Sequence, residues 1–281
     1  MASIEVGPSA SDRPHPLRSR DRSITHGSSP ISAGPTAKDE SPPWSNPVIL
    51  ISVQQSYHRV MATTTSERTE THRRLAALGV WLLPVYALLL ALSTLTHEPD
   101  HAKDFEAWSR YVTTDVFVVS HVGASILGAG LGLVGALCAM VLMLRGPAAG
   151  TALVATAITI VGNVLFTSVF AAAAFAQPAI GRAFLDGVPG AEGLYDDVYG
   201  APLFTALALG GVMFIAGALL LGRALARTAP SLRWAGWTYG VSLVVFLFAG
   251  FTVSFLQPIA GAVACVASVV VALRLPTPAA A

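Results

Sequence analysis

Charge is scarce in this sequence. Only 12% of its 281 residues are charged, against roughly a quarter in an average soluble domain, which excludes an ordinary soluble enzyme. Lys+Arg 17 against Asp+Glu 16 leaves a formal net charge of +1, too even for the basic footprint that a nucleic-acid partner demands. Cysteine is scarcer still, at two residues. Cys138 and Cys265 both lie inside apolar runs, so neither a disulfide scaffold nor a cysteine-rich zinc module is available. Nucleophile and phosphate-binding signatures are missing as well: there is no G-x-S-x-G, P-loop, H-E-x-x-H or dinucleotide fingerprint. Gly128-Ala129-Gly130-Leu131-Gly132 lies within an apolar run and has no lysine beside it. No catalytic residue and no cofactor is expected.

What the sequence does have is hydrophobic length. Hydrophobic residues make up 53% of the chain, and from Leu75 onward they gather into runs separated by short polar segments. About 20 apolar residues cross a bilayer core as a helix. Six spans are expected, at about 75–95, 116–144, 151–176, 203–221, 234–254 and 258–273. The last two share one uncharged stretch from Trp234 to Leu273, too long for a single crossing, with Gln257-Pro258 marking the turn. Runs rich in Ala, Leu and Gly lack the alternation of membrane strands, so the fold class is an all-α integral membrane protein, a six-span transmembrane helix bundle. Pro84 predicts a kink in the first span.

The domain reading is a disordered polar tail at 1–72, a six-helix domain at 73–275 and a short tail at 276–281. Residues 1–72 are rich in Ser, Pro, Thr, Arg and His, with too little apolar surface to offset the entropy of ordering. Met61 opens Met61-Ala62-Thr63-Thr64-Thr65 directly before the first span, and a translation start there is the alternative to a 72-residue tail.

Basic residues orient the bundle. With six spans and a cytoplasmic N-terminus, Arg68, Arg73, Arg74, Arg145, Arg223, Arg227, Arg233 and Arg274 fall inside, against Lys103, Arg110 and Arg182 outside, as the positive-inside rule requires. The outer loops carry Glu98, Asp100, Asp104, Glu106 and Asp115, then Asp186, Glu192, Asp196 and Asp197. Arginine far outnumbers lysine, and Ala and Gly abound, which points to a GC-rich bacterial gene. The expected location is the bacterial plasma membrane with both termini cytoplasmic.

Small residues at intervals of four mark helix seams, because close backbone approach drives association in lipid. Ser120, Ala124, Gly128, Gly132 and Ala136 form one strip, Ala260, Ala264, Ser268 and Ala272 another, and Gly236 and Gly240 a third. They read as seams within one bundle, with a homodimer or contact to another membrane subunit as the alternative. Phe175-Ala176-Gln177-Pro178 and Phe255-Leu256-Gln257-Pro258 look alike and are expected to end the third and fifth spans, as a duplication remnant or simply as helix ends.

No Asp, Glu, Lys or Arg falls inside a span, which leaves carboxylate proton relays and arginine voltage sensors without material. The most polar intramembrane face is Thr156, Thr159, Asn163 and Thr167 on the third span. It is read as interhelical glue, with Asn163 bonding across to another helix and the threonines bonding their own carbonyls, or as a substrate path. Residues 102–114 predict a short amphipathic helix on the outer face, and Tyr195, Asp196, Asp197 and Tyr199 are the candidates for exposed recognition. His97, His101, Asp104 and His121 are candidate metal ligands on donor chemistry, although Pro99 interrupts the helix that a His-x3-His pair needs. Three functions remain: a non-catalytic permease-like or accessory subunit, a facilitator or exporter of a neutral or cationic small molecule along the Thr/Asn face, and a metal-dependent enzyme using the outer histidines.

Overall fold

The computed structural model describes residues 69–95, 98–253 and 255–275. The proposed start at Met61, most of the N-terminal tail, the 276–281 tail and His97 lie outside them. Six helices are long and apolar enough to cross a membrane. They are α1 (Thr69–Ser93), α3 (Asp115–Met143), α4 (Ala149–Leu185), α6 (Ala201–Thr228), α7 (Pro230–Thr252) and α8 (Leu256–Arg274). Two short helices, α2 (Phe105–Val112) and α5 (Gly193–Val198), lie in the acidic connections. The chain is therefore a multi-span all-helical membrane protein, as its apolar runs predict.

Each span packs on the next, and α8 returns to α1, so the six close into a ring in chain order. Its tightest seams are made by small residues. A side chain at Gly236 would come within 2.6 Å of the Gly222 carbonyl oxygen, and one at Gly240 would lie equally close to that of Ala218, so α6 and α7 touch backbone to backbone. Gly132 leaves room for the Tyr86 ring, which a Cβ there would meet at 2.7 Å. Ala124, Gly128, Gly132 and Ala136 are buried, and so are Ala260, Ala264, Ser268 and Ala272. These strips are seams within the bundle, covered by the chain's own helices.

Pro84 interrupts α1 as expected. Proline has no N–H to give the carbonyl four residues back, and the Val80 carbonyl accepts from Leu83 N instead, at 3.0 Å, in a turn at Val80–Trp81. In α3 an eight-residue π-helical segment, Ser120–Leu127, precedes a regular α-helix from Gly128. Its wider turns bring Ala124 and Ser125 side by side into the interior.

The two Gln-Pro sequences behave differently, and neither closes a span. Pro178 lies inside α4, which runs on to Leu185. The extra turns persist because α2 packs on them, with Gly181 so close to α2 that a Cβ would meet the Ser109 carbonyl at 2.9 Å. Pro258 instead sits in the first turn of α8, where its missing donor costs nothing. The resemblance of the two segments thus gives no support to duplication.

Candidate functional site

Two polar regions stand out, one inside the ring and one at its acidic end. The inner one is the seam expected on α4. Thr156 is buried, Asn163 is 6% exposed, and Thr159 and Thr167 are half-buried. All four follow one face because residues three or four apart share a side of a helix. Asn163 and Thr159 line a void of about 20 Å³ together with Tyr86 of α1, Phe214 of α6 and Tyr239 of α7. Asn163 and Thr167 line a second void of about 20 Å³, with Ser125 and a group of phenylalanines. Each has room for about one water molecule. Asn163 also borders a third space, a fissure of about 370 Å³ between α3 and α4 that contains Thr167 and Ser168.

Hydrogen bonding in this seam departs from expectation. Asn163 Nδ2 donates to the Thr159 carbonyl of its own helix at 3.0 Å, not to another helix. The facing stretch of α6 offers Gly210, Phe214 and Gly217, none with a polar side chain, so the carbonyl one turn back is the partner in reach. Thr156 and Thr159 do not bond their own carbonyls either, since both hydroxyl oxygens are buried without a partner among the described residues. An unpartnered buried hydroxyl costs roughly 1–3 kcal/mol. Tyr86 and Tyr239 belong to this site too, outside the Thr/Asn face that the sequence marks. A tyrosine within an apolar run carries a phenol that needs somewhere to go, and both phenols are buried beside the same void.

The outer region is a cap. Asp104 accepts from Ala107 N at 2.8 Å and so starts α2, with Glu106 in the first turn and Arg110 in the last, the arrangement that the helix dipole favours. The helix is amphipathic, as predicted, and its apolar side is driven inward: Trp108 and Val112 are 0% exposed, packed with Phe117, Ala173 and Ile180. Trp108 Nε1 donates to Glu98 Oε1 at 2.8 Å. Tyr195 stacks on Tyr199 at 4.6 Å and against His101 at 4.1 Å, and Gln177 Nε2 donates to Tyr199 Oη at 2.6 Å.

Of the four recognition candidates, only Asp196 and Asp197 are exposed, because the two tyrosines turn inward onto the cap. Burial, then the carboxylates of Glu98, Asp196 and Asp100, pushes the Tyr195 phenol up. Burial raises Tyr199 further, against the Gln177 hydrogen bond, which pulls the other way. At the cap's edge Lys103 binds Asp100 at 2.9 Å and holds that carboxyl below its ordinary value. The metal candidates are dispersed. Asp104 caps α2, His101 lies on Tyr195, and His121 sits in the π-helical segment with Nδ1 3.0 Å from the Phe117 carbonyl oxygen. Among the described residues no three His, Cys, Asp or Glu side chains are placed to hold a metal ion.

The fold thus defines a class, the multi-span helical membrane protein with a polar interior seam and an aromatic cap. No protein family, no curated protein and no solved structure matches the chain.

Proposed function

We propose that this chain is a non-catalytic permease-like or accessory subunit of a bacterial plasma membrane, with both termini cytoplasmic. The observation that carries the reading is the size of the two voids that the α4 polar face shares with α1, α6 and α7, about 20 Å³ each, enough for water and far below the roughly 300–1,000 Å³ of a ligand pocket. The orientation rests on the arginines gathered at one end of the spans. In this reading Asn163 serves packing. Asn163→Leu should lower the yield and melting temperature of the purified protein, and vesicles containing the wild type should leak small solutes no faster than empty ones.

A second reading is a facilitator or exporter of a neutral or cationic small molecule. The fissure of about 370 Å³ that reaches Asn163 between α3 and α4 favours it, as does the acidic outer face, which concentrates cations. Vesicle flux that Asn163→Leu abolishes at normal expression would establish this reading in place of the first.

A further inference from the structure

A groove of about 640 Å³ runs between α7 and α8 on the outside of the ring, within the range of sites that hold small organic ligands, roughly 300–1,000 Å³. Its walls are apolar, with Ala262, Val266 and Val270 of α8 facing Trp234 and Thr238 of α7, and Arg274 stands at its mouth. From Ala262 to Arg274 α8 rises about 18 Å at ~1.5 Å per residue, close to the depth of one leaflet, about 15 Å of a ~30 Å core. Trp234 is 82% exposed beside the mouth, in the position of an interfacial aromatic anchor. Arg274 Nη1 donates to the Ser231 carbonyl at 3.1 Å, which fixes the guanidinium at the groove's end. Arg227 and Arg233 are exposed at the same end of the bundle.

We infer that this groove is a binding site for one anionic phospholipid, its acyl chain along the α8 stripe and its phosphate at Arg274. Charge complementarity selects the occupant. Basic pockets at the ends of spans attract anionic headgroups, and planar guanidinium suits phosphate better than any other side chain. A second copy of the chain is a poorer fit. A two-fold contact sets each surface against itself, and here it would bring Arg227, Arg233 and Arg274 toward their own copies.

The test uses the full chain in phosphatidylcholine vesicles doped with brominated phosphatidylglycerol or brominated phosphatidylcholine, reading tryptophan fluorescence, with Trp234→Phe subtracting the other tryptophans. Brominated phosphatidylglycerol should quench Trp234 at a mole fraction about fivefold lower, the preference that one surface arginine provides. Arg274→Gln should erase the preference and Arg274→Lys should keep most of it. Ala262→Phe, at an exposed position, should reduce quenching by both lipids. Equal quenching of the wild type by the two lipids overturns the proposal without recourse to any variant. So does crosslinking of Val266→Cys into dimers, in a background with Cys138 and Cys265 changed to Ser, which would make the occupant a second copy.

Discussion

The cap and the seam use similar polar residues and use them differently. In the cap, side chains bond across elements: Trp108 reaches Glu98 ten residues away, and Gln177 reaches Tyr199 over twenty-two. In the seam, none of the four α4 residues bonds another helix among the described residues, and Asn163 turns to its own backbone. Among the described residues, the buried side-chain oxygens left without a partner divide evenly, Ser109 and Gln177 in the cap, Thr156 and Thr159 in the seam. The cap is therefore positioned by specific side-chain contacts, and the ring by the approach of glycine-lined backbones. Polar groups in the seam contribute little to holding the helices together and are left facing small voids.

That contrast sets the order of expected effects. Gly236→Leu should be the most damaging single change, since its side chain would enter the α6 backbone at 2.6 Å. The clash is with backbone rather than a flexible side chain, so the cost should exceed the roughly 1–3 kcal/mol of ordinary overpacking by a wide margin, seen as loss of monodisperse protein on purification. Trp108→Ala should follow, at about 3–5 kcal/mol for a fully buried aromatic. Its signature is regional: protease should cut within 186–200 while the spans keep their helical circular dichroism, and protection of that loop would mean the cap does not depend on Trp108. Gln177→Leu and Asn163→Leu form a matched pair, each expected to cost about 1 kcal/mol in thermal melts. Only the first should alter Tyr199.

The smallest effect belongs to Thr159→Val, which removes an unpartnered hydroxyl and keeps the shape. It should be neutral or slightly stabilising, and a loss above about 1 kcal/mol would mean that something bound in the void holds that hydroxyl. The cap adds a pH dependence. Tyr195 and Tyr199 are both raised, so the folded state holds their protons longer than the unfolded one. Their contribution is intact below the ordinary tyrosine value, about 10, and is lost as pH climbs from there through the folded values. Tyr199→Phe should remove one tyrosine from the late-titrating part of the phenolate absorbance.

Much of this architecture is legible in the residues themselves. Run length alone gives six helices, because a bilayer leaves the backbone no other way to satisfy its hydrogen bonds, and the four-residue spacing of Ala264 and Ser268, or Gly132 and Ala136, marks the buried faces. The misjudged features depended on what lies opposite. Gln177-Pro178 looks like a helix end until α2 is seen packed over Gly181, and Asn163 looks like a cross-helix donor until α6 presents glycine and phenylalanine to it. Tyr86 and Tyr239 are far apart in sequence, and only closure of the ring brings them to one void. The π-helical turns at Ser120–Leu127 have no sequence marker that we can identify.

The proposal that the α4 polar face, beside voids of about one water each, has no path to the water on either side of the membrane has one direct test. Asn163→Cys is placed in a background with Cys138 and Cys265 replaced by Ser, reconstituted in vesicles and exposed to a membrane-impermeant thiol reagent from each side, with Asp196→Cys as the accessible control. The account predicts labelling of position 196 from one side and none of position 163 from either. Labelling of position 163 would contradict it and make the seam a path.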